Sequence, residues 1–440
     1  MTSLEIGLLS FPILLAIIFM RAPIGLAMLI VGLGGLWIVT GSPNMILSKL
    51  KTETYTTFSS YSLSIVPIFL LMGHLAGLGG MSRALFKSSE AWLGHHKGGT
   101  AMAAVGACAG FGSICGSSLA TAATMARVAL PELKAAGYSG GLSTAALAAG
   151  GTLGILIPPS VILVIYAMLA EQNIAKLFLA AVIPGILAAV GYMVVIAIYV
   201  RIYPDSASQL PRLPYKERFR ALWDVWPVLI IFVAVVGGIY TGIFNPTEAA
   251  SVGALGTGII AWLSGGLSWK NLRDALLSTA GGTAMIFVII LGAGFYNSFL
   301  ALTQVPQSIS AFIVDQGFGP WLVLSIILLM YLLLGCVMDS LSMILLTIPI
   351  FFPVMSSLDF GLPHDEMAIW FGILVLIVVE VGLITPPVGL NLFIINAMDR
   401  TTPMRETYKA VVYFVASDVL RIIILAIFPS ITLFLIRAMW

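Results

Sequence analysis

Long apolar segments recur along this chain and limit what it can fold into. Stretches of roughly 17–25 apolar residues, the length that crosses the hydrocarbon core of a bilayer as a helix, occur about ten times. Of the 440 residues, 60% are hydrophobic and only 9% are charged, and the mean hydropathy is +1.06. A soluble protein needs more polar surface than this, so the sequence predicts an all-α integral membrane protein.

Ten of the apolar segments are expected to cross the membrane, and two more are interrupted near their middles. Residues 100–130 break at GFGSICGSS (Gly110 to Ser118), and residues 321–353 break at GCVMDS (Gly335 to Ser340). The ten crossings are expected near residues 4–20, 22–40, 63–80, 142–170, 177–200, 225–244, 247–264, 280–302, 367–397 and 409–437.

The basic residues indicate whether the interrupted segments cross or turn back, because Lys and Arg accumulate in cytoplasmic loops. If both segments turn back as re-entrant hairpins, 15 of the 21 Lys and Arg residues fall on one side, together with the polar linker 201–224. A full crossing by the first segment would put the basic loops 81–99 and 131–140 on opposite sides. The charge distribution therefore favours two re-entrant hairpins, with both chain termini on the external side.

This topology divides the chain into an inverted repeat. Residues 1–200 and 225–440 each hold five crossings and one hairpin, and five is odd, so the two halves enter the membrane in opposite orientations. Short polar segments at 43–55 and 268–278, expected to form interfacial helices, occur in matching order. The first hairpin then opens toward the cytoplasm and the second toward the exterior.

Two Pro-Pro motifs interrupt crossings at equivalent places in the two halves. The motifs are GILIPPSVILV (Gly154 to Val164) and GLITPPVGLNL (Gly382 to Leu392). Proline has no N–H and ends helices, and broken backbone at membrane depth is tolerated where it is buried in protein or lines a cavity. The freed carbonyls suit a small cation, and the exposed half-helix N-terminus suits an anion, so the paired breaks predict a binding site.

Small and polar residues at the hairpin tips add hydroxyls and one carboxylate to this predicted site. Asp339 is the ionisable residue at a tip, and a role toward a cation is favoured over a structural hydrogen bond. The small residues could instead serve helix packing, and Glu380 could either line the site or satisfy a neighbouring helix end. The tip residues are Gly112, Ser113, Gly116, Ser117, Ser118, Asp339 and Ser340.

Three other charged residues within apolar segments have simpler explanations. Asp418 and Arg421 are three apart on the last predicted helix, which favours a structural ion pair. Arg127 lies toward the cytoplasmic end of the first hairpin, where its long side chain is expected to extend to the interface.

Four motifs spread over both halves closely resemble the large membrane subunit of tripartite ATP-independent periplasmic (TRAP) transporters. The motifs are GSSLATAATMARVALPELKAAGY (116–138), GGTLGILIPPSVILVIYA (150–167), GGIYTGIFNPTEAASVGA (237–254) and EVGLITPPVGLNLF (380–393). The resemblance implies a sodium-driven importer of organic acids in the bacterial inner membrane, with periplasmic termini. It also implies an elevator mechanism, in which a transport domain from about 100–170 and 321–397 moves past a scaffold made of the remainder.

The resemblance further implies where ions and substrate bind. One sodium site falls among Ser113, Gly116, Ser117, Gly151 and Pro158. The other falls among Gly335, Asp339, Gly382, Thr385 and Pro387. The candidates that line the substrate site are Ser118, Pro159, Ser160, Ser340, Glu380 and Asn391.

The same resemblance implies the partners, and two alternative functions stay open. A small four-helix membrane subunit is expected as a separate polypeptide, together with a periplasmic binding protein that delivers the acid; lipid is the surrounding solvent, and nucleic acid is not an expected partner. Sodium is the expected coupling ion, and no cofactor is expected.

The closest alternative is a self-sufficient sodium/dicarboxylate symporter of similar architecture. An intramembrane enzyme is the more distant one, and no polar catalytic cluster in the sequence supports it. A C4-dicarboxylate, a sialic acid or another sugar acid could be the substrate.

Overall fold

The computed structural model describes residues 1–439, apart from the side chain of Val314, and all regular elements in this part of the chain are helical. The helices up to the linker are α1 (Ser3–Phe19), α2 (Ile24–Thr40), α3 (Pro43–Ser59), α4 (Ile65–Leu78), α5 (Met81–Leu93), α6 (Gly99–Cys115), α7 (Ser118–Ala135), α8 (Gly140–Leu156), α9 (Val161–Leu169) and α10 (Ile174–Ile202). Those that follow are α11 (Tyr215–Trp223), α12 (Trp226–Phe232), α13 (Gly238–Tyr240), α14 (Pro246–Leu263), α15 (Trp269–Leu302), α16 (Val305–Asp315), α17 (Pro320–Gly335), α18 (Ser340–Ser356), α19 (His364–Gly382), α20 (Leu390–Met398), α21 (Met404–Ile427) and α22 (Pro429–Met439). A π-helical turn joins α12 to α13.

Each interrupted segment forms two helices joined by a short tip. In the first hairpin, α6 ends at Gly116, whose φ of +63° suits glycine, and the Ser117 hydroxyl caps α7 by accepting from the Ala120 N–H. In the second hairpin, α17 and α18 are joined by four residues, and the Asp339 carboxylate caps α18. Both tips therefore use an oxygen cap at the start of the second helix, and the first tip adds a left-handed glycine at the end of α6.

The Pro-Pro motifs separate two further pairs of helices. Helix α8 ends before Pro158-Pro159, and α9 leaves at an angle of 47° to it. Helix α19 ends before Pro386-Pro387, and α20 begins after Gly389, whose φ is +66°. Both Pro-Pro peptide bonds are cis.

The helices pack into two groups. The first, here called the hairpin group, contains α6–α10 and α17–α22; in it α8 packs on α6, α7, α10 and α21, and α17 packs on α19. The second, the outer group, contains α1–α4 and α12–α15, where α15 packs on α2 and α14 packs on α4. Helix α5 packs on α6 and α4, and α16 packs on α18 and α15, so these two short helices bridge the groups.

Two helices from the segments assigned to the scaffold pack within the hairpin group. Helices α10 and α21 lie in the segments assigned to the scaffold, yet they pack on each other and on α8. The Tyr192 hydroxyl of α10 donates to the carboxylate of Asp418 on α21 at 2.8 Å and contacts the Thr152 hydroxyl of α8 at 3.0 Å. Asp418 also pairs with Arg421 at 2.8 Å, as the spacing of the two residues predicts. These buried polar contacts hold α10 and α21 to the hairpin group.

Several helix boundaries also differ from the predicted ones. Residues 268–278 form no separate interfacial helix, because no proline interrupts α15, which continues from Trp269 through Gly281 and Gly282 into the predicted crossing 280–302. The predicted crossing 409–437 ends at Ile427, because Pro429 cannot donate to the preceding turn and starts a new helix, α22. Helices α5 and α16 lie in segments that were expected to be loops.

Length and composition identify three single helices that could cross a membrane, Ile174–Ile202, Trp269–Leu302 and Met404–Ile427. Counting each bent helix pair as one span raises this number to six. Several other apolar helices, α1 and α2 among them, have 10–17 residues and are too short to be counted as candidate spans. The ten-crossing topology and its orientation stay predictions.

Candidate functional site

The two hairpin tips meet around one cavity of about 180 Å³. Ser117 and Ser118 contribute from the first tip, and Asp339 and Ser340 from the second. Most of the remaining wall is apolar, and it comes from α4, α8, α9, α15 and the break after α19. The N-terminal ends of α7 and α18 therefore face one small space from two directions, here called the tip cavity.

Each hairpin crosses a broken helix at a pair of glycines. A Cβ added to Gly112 of α6 would lie 2.5 Å from the Cα of Gly154 on α8. A Cβ added to Gly382 of α19 would lie 2.6 Å from the Cα of Gly335 on α17. No side chain fits at these crossings, so bare backbone of each hairpin lies directly against bare backbone of the helix that precedes a Pro-Pro break.

The residues expected to form the first sodium site lie close together, with one exception. A Cβ added to Gly116 would be 3.2 Å from the Pro159 carbonyl oxygen, so the tip reaches the broken backbone after Pro158. The Ser113 hydroxyl donates to the Gly110 carbonyl at 2.8 Å. Gly151 faces Ala122 and Asn391 instead of the tip.

Gly154 is the α8 glycine at the tip, and sequence reasoning did not include it in the site. A Cβ placed on it would lie 2.8 Å from the Ser117 carbonyl oxygen. Gly151 and Gly154 are three apart on one helix, so spacing alone gives no way to choose between them. The signal that could have identified Gly154 is its position four residues before the Pro-Pro pair, which Gly382 shares.

The residues expected to form the second sodium site also gather at their tip. Oδ1 of Asp339 accepts from the Ser342 hydroxyl at 2.6 Å, and Oδ2 accepts from the Ser342 N–H at 3.1 Å. The Thr385 hydroxyl donates to the Val381 carbonyl at 2.6 Å. The Pro387 carbonyl already accepts from the Tyr408 hydroxyl at 2.8 Å. Asp339 thus brings a negative charge to the tip, while its oxygens also cap α18.

Cys336 is a further contact of the second tip that the sequence did not suggest. Its carbonyl accepts from the Gly389 N–H at 3.3 Å, and its thiol lies 3.7 Å from the Pro386 carbonyl oxygen. The second tip is therefore joined to its Pro-Pro segment by hydrogen bonds through Cys336.

Glu380 joins the two hairpins. It is fully buried, and its carboxylate accepts hydrogen bonds from the hydroxyls of Ser118 and Ser340. Each serine is the first residue of the second helix of its hairpin. Glu380 thus contacts the first residue of α7 and of α18, and it is not among the residues that line the tip cavity.

The other candidates for lining the substrate site separate into two sets. Ser118 and Ser340 line the tip cavity. Pro159, Ser160 and Asn391 are buried away from it: the Ser160 hydroxyl caps α9, and the Asn391 amide donates to the Ala148 carbonyl at 3.3 Å. Packing between helices, not contact with the cavity, accounts for Ser160 and Asn391.

A second, more polar cavity of about 460 Å³ adjoins the first and shares Leu70 and Ser117 with it. Its wall is formed by α4, α7 and α15, so it lies between the hairpin group and the outer group. Its polar lining residues are His74, Ser82, Ser117, Thr124, Arg127, Asn271, Asp274 and Ser278. It is here called the side cavity.

The fold belongs to the class of proteins built from many packed apolar helices. It is similar to that of the YdaH transporter of Alcanivorax borkumensis, with a TM-score of 0.60 over 87% of this chain and 89% of that one, at 12% identity. Residues 11–431 match the family described as the DctM component of the tripartite ATP-independent periplasmic transporter. The chain therefore belongs to this family of large TRAP membrane subunits, as the motifs predict.

Relatives within the family are named for different substrates. The chain is 35% identical to the C4-dicarboxylate TRAP transporter large permease protein DctM of Pseudomonas aeruginosa, over 91% of this chain and 92% of that protein. It is 28% identical to the sialic acid TRAP transporter large permease protein SiaM of Vibrio cholerae, over 96% of each. It is 29% identical to the isethionate TRAP transporter permease protein DctMQ of Oleidesulfovibrio alaskensis, over 92% of this chain and 62% of that protein.

Proposed function

We propose that this chain is the permease subunit of a sodium-coupled importer of an organic acid. The observation that carries the proposal is the meeting of both hairpin tips around the tip cavity, each of them crossing, at a glycine pair, the helix that precedes a Pro-Pro break. Hydroxyls, carbonyls and the Asp339 carboxylate are hard oxygen ligands of the kind that small cations prefer. Sodium bound at each tip would offset the charge of Asp339 and draw together carbonyls that otherwise repel.

Bound sodium would then prepare the tip cavity for a carboxylate. Helices α7 and α18 both begin at this cavity, and helix N-termini carry partial positive charge that favours an anion. Ser118 and Ser340 line the same place, with their hydroxyl protons donated to Glu380. A C4-dicarboxylate, a sialic acid and isethionate, the substrates named for the relatives, each carry an anionic group that such a site binds.

An elevator movement fits the packing in two groups. We propose that the hairpin group, including α10 and α21, is the transport domain, and that the outer group is the scaffold. This assignment replaces the narrower transport domain of about 100–170 and 321–397, because the polar contacts of Tyr192 and Asp418 are buried within the hairpin group. The bridging helices α5 and α16 would bend at their ends as the transport domain moves.

We further propose the partners and the location that the family implies. A small membrane subunit would brace the outer group, and a periplasmic binding protein would deliver the acid to the tip cavity. The chain would lie in the bacterial inner membrane with both termini in the periplasm and residues 201–224 in the cytoplasm. The alternative, a self-sufficient sodium/dicarboxylate symporter, needs neither partner. The relatives named above are permeases, which favours transport over an enzymatic activity.

Uptake by proteoliposomes tests the proposal. The complex of this chain with its small subunit should accumulate labelled succinate or N-acetylneuraminate when an inward sodium gradient and the binding protein are both present. Replacing external sodium with choline should abolish uptake. Uptake that ignores sodium contradicts the coupling, and full uptake without the binding protein identifies the symporter alternative.

A further inference from the structure

Arg127 occupies a place in the fold that the tip chemistry does not explain. It lies on α7 of the first hairpin, and its guanidinium makes no hydrogen bond or ion pair with any residue that the structure describes. An unpaired Arg in a predicted membrane hairpin is expensive unless its guanidinium reaches the interface, water or a ligand. Arg127 is exposed and lines the side cavity, so an aqueous space is what it faces.

The side cavity extends from the first tip to Arg127 along one face of α7. Ser117, Ala120, Thr124, Arg127 and Val128 line it, and their spacing of three and four residues is that of a single helix face. Arg127 is nine residues beyond Ser118, which corresponds to about 13 Å along the helix. The cavity thus connects the tip with the guanidinium along a face of α7 that carries Ser117 and Thr124 between them.

The facing walls leave room for a ligand of several heavy atoms. On α4, Gly77 has open space around the position of a Cβ, while His74 supplies a ring of intermediate exposure. On α15, Asn271, Asp274 and Ser278 follow each other at helical spacing. The volume of about 460 Å³ is within the range of small-molecule sites in proteins.

We infer that the side cavity is a second binding site for the transported acid, in which Arg127 binds the carboxylate group after it leaves, or before it reaches, the tip cavity. A guanidinium presents two parallel N–H donors that match a carboxylate, which makes Arg the side chain best suited to this contact. The inference rests on the proposed function and extends it to a second position on the path of the acid.

Asp274 makes this inference testable, because its charge has the opposite sign. Arg127 and Asp274 are the fully charged side chains among the lining residues, and no ion pair joins them. In an anion site the positive charge attracts the ligand and the negative charge opposes it. If the two residues instead formed a latch between the hairpin group and the outer group, removing either charge would have the same effect.

The experiment compares Arg127→Gln, Arg127→Lys and Asp274→Asn in the reconstituted complex with its small subunit and binding protein. Initial sodium-driven uptake is measured against the concentration of succinate, N-acetylneuraminate and isethionate. Arg273→Gln is the matched control, because Arg273 is an exposed neighbour on α15 that does not line the cavity. Purified variants are also titrated directly with the acid that gives the fastest uptake, so that binding is measured apart from transport.

We expect Arg127→Gln to raise the half-saturating acid concentration on the order of tenfold or more, the usual effect of losing a charge-assisted pair. Arg127→Lys should give an intermediate rise, Asp274→Asn should lower the value, and Arg273→Gln should leave it unchanged. Equal effects of Arg127→Gln and Arg273→Gln would overturn the inference, as would effects of the same sign from Arg127→Gln and Asp274→Asn. Failure of the unaltered complex to take up any of the three acids with sodium contradicts the proposed function itself, and the inference with it.

Discussion

Oε1 of Glu380 accepts a hydrogen bond from the Ser340 hydroxyl at 2.7 Å, while the other carboxylate oxygen accepts one from Ser118. One buried side chain on α19 thus holds the first turns of α7 and α18, which belong to different halves of the chain. Neither tip can shift by more than a fraction of an ångström without losing its bond to this carboxylate. The two tips therefore act as one structural unit around the tip cavity.

Replacing Glu380 should separate the two tips. Glu380→Ala leaves two buried hydroxyls without an acceptor, each at a cost of about 1–3 kcal/mol, so both the unfolding midpoint and sodium-driven uptake should fall. Glu380→Gln keeps the side-chain shape and one acceptor oxygen, and should retain more of both. Denaturant unfolding in detergent measures the stability. A Glu380→Ala protein as stable as the unaltered one would show that the carboxylate does not join the tips.

The glycine crossings predict a steric effect. In Gly382→Ala the new Cβ would meet the Cα of Gly335 at 2.6 Å, and forcing the backbones apart should cost about 1–3 kcal/mol or more. Transport should be lost because the second tip moves away from its broken helix. Gly281→Ala on α15 is the control, since a Cβ there meets open space. Sodium-driven uptake is measured for both variants and compared with that of the unaltered protein. Normal uptake by Gly382→Ala would contradict the close crossing.

The charge of Asp339 can be separated from its role as a helix cap. Asn caps helices about as well as Asp, so Asp339→Asn should keep the stability to within about 1 kcal/mol while raising the half-saturating sodium concentration on the order of tenfold. Sodium titration of uptake measures the change. Ser268→Ala, which removes the cap of α15 far from the tips, should cost stability without altering the sodium titration. An unchanged titration in Asp339→Asn would remove this carboxylate from the sodium site.

The contact between Lys134 and Asp399 predicts a dependence of stability on pH. Lys134 Nζ lies 2.5 Å from Asp399 Oδ1, in the loop that follows α20. Burial acts to raise the pKa of Asp399, but hydrogen bonds from Lys134, Thr401 and Thr402 outweigh it and hold the pKa below its usual range. A carboxyl whose pKa is lowered by folding stabilises the fold above its unfolded pKa, and this stabilisation is lost as the pH falls through the folded value.

Asp399→Asn should therefore lower the free energy of unfolding by about 1–3 kcal/mol at neutral pH. The difference from the unaltered protein should be complete above about pH 5 and should shrink below about pH 4. Denaturant unfolding at a series of pH values measures it. Asp205→Asn, at an exposed aspartate of the linker, supplies the comparison. A difference that grows toward acid pH would contradict the assignment.

The chemistry of single residue types made much of this fold predictable. Proline lacks an N–H, so the ends of α8 and α19 near the Pro-Pro pairs could be placed from the sequence, as could a helix start after Ser117 or Asp339. The residues at the two tips could be proposed as site residues because glycine, serine and aspartate are the residue types that end and cap helices. The family followed from four motifs, two of which contain these breaks.

Other features depend on contacts between distant segments, which a single sequence does not display. Gly151 and Gly154 are equivalent in local chemistry, and Gly154 lies at the tip because α6 crosses α8 at Gly112. Glu380 was left with two roles because its partners, Ser118 and Ser340, come from both halves. The long helix α15 was divided in the prediction because its polar first turns resembled a separate element, yet nothing in its backbone chemistry ends the helix there.

The linker between the two repeats contains an exposed stretch that lies between two fixed segments. Residues 211–217 are all exposed, whereas the preceding segment is fixed by bonds from the Leu210 N–H to the Gly94 carbonyl and from the Ser139 N–H to the Ser206 carbonyl. Helix α11 packs on α5 beyond the exposed stretch. A cut in the backbone between Pro211 and Arg212 would leave both anchors in place, together with the hydrogen bond from Arg218 Nε to the Leu213 carbonyl at 3.0 Å. The permease could accordingly be encoded as two genes, whose products would find each other in the membrane through the contacts that already join the repeats.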